Sequence, residues 1–245
     1  MRYSAALVLG ACGRLAFDPL ERAGDGGIDS PVDGVEADAP ASTFVYLHGE
    51  AATAANGTQL GVMLPAQALG GLRVVAVGIG GPMVSLASVT DDAGNVYELA
   101  IGPTSSSGLT QWIYTSRVTN VTSPNTVLAT FDNTATQPGL LVADYGGVAT
   151  TMTVHTTSGL SGSGTLSESG PLMIAIAPAL IVSANTNSQG GTAGPGAGYT
   201  QRLLNMFEDI LEDRVVSSPG TYVADAPLTT QHEWVMQAIV LAPSD

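Results

Sequence analysis

The sequence predicts an all-β protein: a two-sheet antiparallel sandwich, jelly-roll-like, with a strand pattern that occurs twice. Three observations predict it. Only 11% of the 245 residues are charged, less than half the usual share of about 25% and too few to clothe the solvent faces of long helices. From Thr43 onward, short runs rich in β-branched and apolar residues alternate with turns of Gly, Pro, Asn and Ser, the pattern of a sandwich or barrel. Stretches of the first half also recur, in order, in the second. A coiled coil or helical bundle is excluded.

In chain order, strands are predicted over 43–48 and 58–64, the latter ending Leu60-Gly61-Val62-Met63-Leu64. The run 72–79 contains Leu72-Arg73-Val74-Val75-Ala76-Val77, which lacks strict alternation and reads as buried on both faces, hence central. Strands over 84–90, 95–101, 109–118, 125–131 and 139–145 complete the first half, each flanked by turn-forming residues. The second half holds 150–156, 163–168, 171–177, 198–205, 212–218, 221–226 and 233–241. There Leu172-Met173-Ile174-Ala175-Ile176-Ala177 is the expected central strand, while Tyr222 and Ala224 alternate with Val223 and Asp225 as where one face meets water. One segment also fits a short amphipathic helix. Leu203, Leu204, Met206, Phe207, Ile210 and Leu211 recur at helical spacing, with Glu208, Asp209, Glu212 and Asp213 between them.

The repeat rests on four matches. Val121-Thr122-Ser123-Pro124-Asn125-Thr126-Val127-Leu128-Ala129 aligns with Val216-Ser217-Ser218-Pro219-Gly220-Thr221-Tyr222-Val223-Ala224 at an offset of 95. Leu109 and Trp112 meet Leu204 and Phe207 at the same offset, Gly70–Val77 meets Gly170–Ala177 at 100, and Tyr97 meets Tyr199 at 102. The copies are 43–148 and 149–245, expected to form one sandwich domain over 42–245 because neither closes its core alone.

Seven arginines and no lysine stand against 21 acids, for a formal charge of −14. Scattered cations cannot neutralise successive phosphates, so nucleic acid is excluded as a partner, and the same charge disfavours anionic membrane surfaces. Past residue 12 no apolar run reaches the roughly 18 residues of a spanning helix.

Residues 1–12 join a charge at Arg2, a short apolar stretch over Ala5–Leu9 and the residues Leu9-Gly10-Ala11-Cys12. These resemble a bacterial lipoprotein signal and its lipobox, although the apolar stretch is shorter than the roughly 7–15 residues expected. The resemblance implies removal of 1–11 as a signal peptide and acylation of Cys12 on its sulfur and new amino group. Several chains on one residue hold a protein stably where one holds it marginally, at about 0.8 kcal/mol per buried methylene. Membrane contact would then run through the lipid anchor only. Gly13, where an Asp often marks inner-membrane retention in such lipoproteins, implies the outer membrane or cell surface. Residues 12–41 follow as the lipidated Cys and an acidic spacer, too poor in apolar side chains to offset the entropy of ordering. The lone cysteine excludes an internal disulfide.

The body also resembles a group of exported bacterial β-sandwich domains, through Gly71–Val77, Val89-Thr90-Asp91-Asp92-Ala93-Gly94-Asn95-Val96-Tyr97 and Gly198-Tyr199-Thr200-Gln201-Arg202. The resemblance continues through Glu212–Val216, Gly220-Thr221-Tyr222 and Trp234-Val235-Met236-Gln237. It implies a non-catalytic part of a cell-surface protein and brings no catalytic residues.

The chemistry-bearing residues point the same way. Gly159-Leu160-Ser161-Gly162-Ser163 fails the Gly-x-Ser-x-Gly elbow at its last position. His48, His155 and His232 sit in or beside predicted strands without partners at useful spacing, zinc-type His/Cys pairs are missing, and no glycosidase carboxylate pair can be chosen. No catalytic residue is assigned. In the loop Asp91-Asp92-Ala93-Gly94-Asn95, the oxygens of Asp91, Asp92 and Asn95 suit a hard cation such as Ca²⁺, but the loop reads more simply as an Asp/Gly/Asn turn. No other cofactor is implied. Glu212-Asp213-Arg214 suggests an ion pair, with Arg214 or Arg117 neutralising an acid on a neighbouring strand. Sugar-stacking candidates are Trp112, Tyr114, Tyr145, Tyr199, Tyr222 and Trp234, of which the two tryptophans read as core anchors. The expected function is a cell-envelope lipoprotein displaying a non-catalytic module with a structural, adhesive or binding role. A carbohydrate-binding module is the alternative, a secreted hydrolase less favoured, and the partner, glycan or protein, is open.

Overall fold

The computed structural model describes residues 44–65, 67–81, 83–188 and 191–244. Cys12, the signal segment and the acidic spacer lie outside the described residues. The described residues form strands, turns and bends and no helix. The strands are β1 (Val45–Thr53), β2 (Asn56–Leu64), β3 (Leu72–Gly80), β4 (Leu86–Asp91), β5 (Glu98–Ser105), β6 (Leu109–Arg117), β7 (Asn125–Gly146), β8 (Val154–Ile174), β9 (Ala179–Asn187), β10 (Thr200–Leu204), β11 (Ile210–Val216) and β12 (Gly220–Leu241). They form two antiparallel sheets packed face to face, the predicted sandwich. The first, in the order β1-β7-β3-β6-β5 with β2 and β4 also on β7, uses strands one to seven, and the second runs β10-β11-β9-β12-β8.

The two sheets share one plan. In the first, β3 lies between β6 and the C-terminal half of β7, β5 flanks β6, and β1 flanks β7. In the second, β9 lies between β11 and the C-terminal half of β12, β10 flanks β11, and the start of β8 flanks β12. The long strands β7 and β12 have 22 residues each. Their N-terminal halves turn back and pair with β2 and β4, or with the tail of β8.

Each sheet therefore folds over itself, and three apolar layers result. One holds Leu60, Val62, Val75, Val77, Val127 and Phe131 inside the first sheet, with Trp112. The middle layer joins the sheets through residues such as Val74, Ile113, Leu141, Val182, Leu211 and Ile239. The third holds Leu172, Ile181, Ile210, Trp234, Met236 and Val240 inside the second sheet. A Trp or Leu buried this way contributes about 1.5–3 kcal/mol or more each.

The plan corrects several sequence expectations. The segments 125–131 with 139–145, and 221–226 with 233–241, are single bent strands. Segments 150–156, 163–168 and 171–177 fall largely within β8. The stretch Leu172–Ala177 is not central: it ends β8, which pairs with β12 on one side only, and Met173 and Ile176 are exposed. The central strand is β9, whose nine residues are all buried. Its polar Ser183, Asn185, Thr186 and Asn187 disguise it as a loop. Consequently β3 corresponds to β9 rather than to 170–177, and β6 to β11 rather than to Leu204 and Phe207. The helix over 203–211 does not form. Asn205 closes a tight turn there, its side-chain oxygen accepting from Phe207 N at 2.8 Å and Asp209 N at 3.0 Å, and Glu208 takes a left-handed φ of 59°. Of the apolar residues at helical spacing, Leu203 and Leu204 end β10, Met206 and Phe207 lie in the turn, and Ile210 and Leu211 open β11.

The sandwich has two poles. The described chain enters at Phe44, beside the Val45–Gly146 and Leu72–Tyr145 pairs, and both β7 and β12 end at this pole, bridged by Val148 and Pro243. At the far pole Thr53 faces Gly139, and Gly78 pairs with Gly139. The nine residues of β1 put about 30 Å between the poles. At the far pole the sheets leave no room for side chains at two glycines. A Cβ on Gly78 would stand 2.0 Å from Thr186 Oγ1, and one on Gly139 2.8 Å from Asn205 Nδ2.

Candidate functional site

The densest charged cluster lies at the entry pole. Arg73 of β3 faces Asp144 of β7 across the ladder, and its guanidinium makes a fork to both carboxylate oxygens at 2.8 and 2.9 Å. Arg73 Nη1 also reaches Asp91 Oδ2 at 3.1 Å and the Tyr97 hydroxyl at 3.2 Å. Arg73 and Asp144 are buried. Burial works against the cation, but the hydrogen bond to Asp144, the charge of Asp144 and the contact with Tyr97 together outweigh it and raise the Arg73 pKa. Burial likewise raises Tyr97. For Asp91, burial is overcome by donors from Asn95, Asn125 and Tyr97, which hold it below its ordinary value. His48 Nε2 lies 3.3 Å from Asp144 Oδ2, whose carboxylate is already bridged to Arg73.

The proposed cation ligands are gathered by this cluster and occupied by it. Asp91 Oδ1 accepts from Asn95 N at 2.9 Å, and Oδ2 accepts from Asn95 Nδ2, Tyr97, Asn125 and Arg73. Asn95 Oδ1 accepts from the backbone of Thr119 and Asn120, and Asp92 Oδ2 from Thr126 N at 2.8 Å. These bonds lock the loop end of β4 to 119–126. Among the described residues no group of three or more His, Cys, Asp or Glu is placed to hold a metal.

The other predicted residues disperse. Neither Arg214 nor Arg117 pairs with an acid among the described residues. Arg214 sits over the rings of Tyr199 and Tyr222 at 5.7 and 5.4 Å, and Arg117 bonds the carbonyls of Gly70, Val148 and Ala149. The ion pair of this region is Arg202 with Asp213, at 2.7 Å. His155 is exposed, and His232 lies beside Thr230. Trp112 and Trp234 are core residues, as expected, and Tyr145 and Tyr199 are buried, while Tyr114 and Tyr222 are half-buried. None of the six forms an open platform. Glu212 is buried between Ser183 Oγ at 3.1 Å and Gly196 N at 2.9 Å. Burial, partly offset by those two donors, pushes its pKa up to about 7.

Two concave regions remain. A cleft of about 750 Å³ lies near the entry pole between the β5–β6 rim and the start of β8, lined by threonines, Ser116 and apolar residues such as Val96, Leu99 and Met152, with Glu98, Arg117 and His155. At the far pole, a cavity of about 260 Å³ is lined by Gln137, Thr186, Asn187, Ser188, Phe207 and Asp209. Beside it, a shallower depression of about 600 Å³ shares Gln137, Met206 and Phe207. The sequence carried little signal for this second site, because its residues come from a bend in β7, the end of β9 and the β10–β11 turn. Against known proteins the chain matches no family model, no curated protein and no solved structure.

Proposed function

We propose that the chain is a cell-envelope lipoprotein, anchored through Cys12, that displays a non-catalytic β-sandwich with a structural, adhesive or binding role. One observation carries this reading: Leu9-Gly10-Ala11-Cys12 is followed by an acidic, Gly/Pro-rich segment, and the sandwich starts directly after it at Phe44. The absence of catalysis is supported by the engagement of the clustered ionisable groups. Arg73 pairs with both Asp91 and Asp144 in a buried network, which holds strands together rather than presenting a reactive group.

Metabolic labelling with palmitate tests the anchor, comparing wild type with Cys12→Ser and fractionating the membranes. Labelled, membrane-associated wild type and unlabelled, soluble Cys12→Ser are expected. Equal absence of label from both refutes the anchor.

A further inference from the structure

Four loops meet at the entry pole: 65–71, 91–98, 117–125 and 146–153. Arg117 ties two of them to the end of β6, its Nη1 donating to the Gly70 carbonyl at 2.9 Å and its Nη2 to the Ala149 carbonyl. Asn95 Oδ1 accepts from Thr119 N and Asn120 N, each at 2.9 Å, which joins the other two. Each loop holds one aliphatic side chain out to solvent: Leu69 is 68% exposed, Val96 75%, Val121 53% and Met152 85%. Val96 and Met152 line the same cleft. Met152 also takes a left-handed φ of 47°, a conformation in which Gly or Asn is usual and a methionine is not. Exposed apolar side chains gathered in this way mark a contact surface. The pole is also poor in charge. Loops 65–71, 117–125 and 146–153 contain no Asp or Glu, although the chain has 21. In 91–98, Asp91 is paired with Arg73, Asp92 accepts from Thr126 N, and Glu98 is exposed. The far pole exposes Met83 and Met206 as well, but there Asp132 and Glu208 stand in or against the same turns.

We propose that the entry pole seats on the surface of a zwitterionic lipid bilayer, with Leu69, Val96, Val121 and Met152 inserted among the headgroups. The occupant follows from where the chain enters. Val45 pairs with Gly146, so the segment that carries Cys12 leaves from beside the 146–153 loop. An acylated Cys12 then holds this pole nearer the lipid than the far one, about 30 Å away. Interfacial binding grows with the apolar area buried. Four aliphatic side chains bind weakly alone, but a tether makes their contact intramolecular, at an effective concentration in roughly the millimolar range. The charge of −14 disfavours anionic headgroups, whereas the uncharged loop tips suit a neutral surface. This inference rests on the anchored reading above and adds to it a contact made by the folded body itself.

The test uses the lone cysteine. The full-length chain is coupled through Cys12 to a maleimide lipid in phosphatidylcholine nanodiscs that carry a gadolinium-chelating lipid, and NMR reads methyl groups at both poles. The Leu69, Val96 and Met152 signals are expected to be lost to paramagnetic broadening, and those of Met83 and Met206 to persist. In Met152→Asp with Val121→Asp, both exposed positions and expected to melt as wild type, the Leu69 and Val96 signals should return. A body that is merely tethered would not respond to those substitutions. Met206→Asp should change nothing. The inference is overturned if both poles keep or lose their signals together, if the loss survives the double substitution, or if it requires phosphatidylglycerol in the disc. It is equally overturned if ultracentrifugation without lipid shows the Met152 face joining two copies of the chain. Palmitate labelling of the native chain separates the two readings. Label without a preferred pole overturns this inference and leaves the anchor, whereas seating of the coupled chain without native label overturns the anchor and leaves the surface.

Discussion

Replacing Glu212 by Gln should stabilise the protein by an amount that grows as the pH rises from about 4.5 to about 7 and then levels off. The carboxyl titrates near 4.5 when free and near 7 in the fold, mainly because burial disfavours its charge. Gly196 N–H and Ser183 O–H pull its pKa down, and the carboxylates of Asp225 and Asp213 push it further up. A group whose folded pKa is raised contributes no penalty below its unfolded pKa and a growing one as pH rises toward the folded value. Keeping this carboxyl charged in the fold at pH 9 costs about 3 kcal/mol. Glutamine removes that penalty at little cost in hydrogen bonds, since its oxygen can accept from Gly196 N and its amide can donate to Ser183 Oγ. At 2–4 °C per kcal/mol for a domain of this size, Glu212→Gln should melt about 6–12 °C higher at pH 9 and within about a degree of wild type at pH 4. Calorimetry from pH 4 to 9 measures it. Asp209, raised to about 7 chiefly by burial, gives both proteins a further loss of stability over the same range, so a slope should persist in the variant. A variant that is less stable at pH 9, or equally stabilised at pH 4, refutes the reasoning.

Two further substitutions test the architecture. Arg73→Met leaves Asp144 and Asp91 buried without their cation and should cost about 3–5 kcal/mol by chemical denaturation, whereas Arg73→Met with Asp144→Leu should recover most of it. Gly78→Ala places a methyl on Thr186 and should cost about 1–3 kcal/mol; Thr186→Ala in the same chain should relieve most of that, measured as a double-mutant cycle.

The reach of the sequence depended on what each strand buries. Strand β3 was legible because its nine residues are almost wholly apolar. Strand β9, with the same place in the second sheet, was not, because Ser183 and Asn185 are buried by polar partners that no local pattern reveals. The bends of β7 and β12 read as chain breaks, since Asn133 and Pro138, or Pro227 and Thr230, are ordinary turn residues. The offset of 95 survived because β7 and β12 kept equal lengths, whereas loop insertions moved β3 and β9 to a spacing that the search missed. The Asp91 loop was found by its composition, but its occupation by Arg73, Asn125 and Tyr97 depends on strands far apart in sequence. Phe207 was seen as a helix residue and as the repeat partner of Trp112, and Asn187 not at all.

The antiparallel ladder between β1 and β7 has a mechanical consequence. Its eight registered pairs run along the axis from the entry pole to the far pole, and their hydrogen bonds stand across that axis. A pull between Phe44 and the far pole would load those bonds in shear, all together, rather than peel them one by one. Resistance to such a pull is set by the unfolding rate rather than by equilibrium stability.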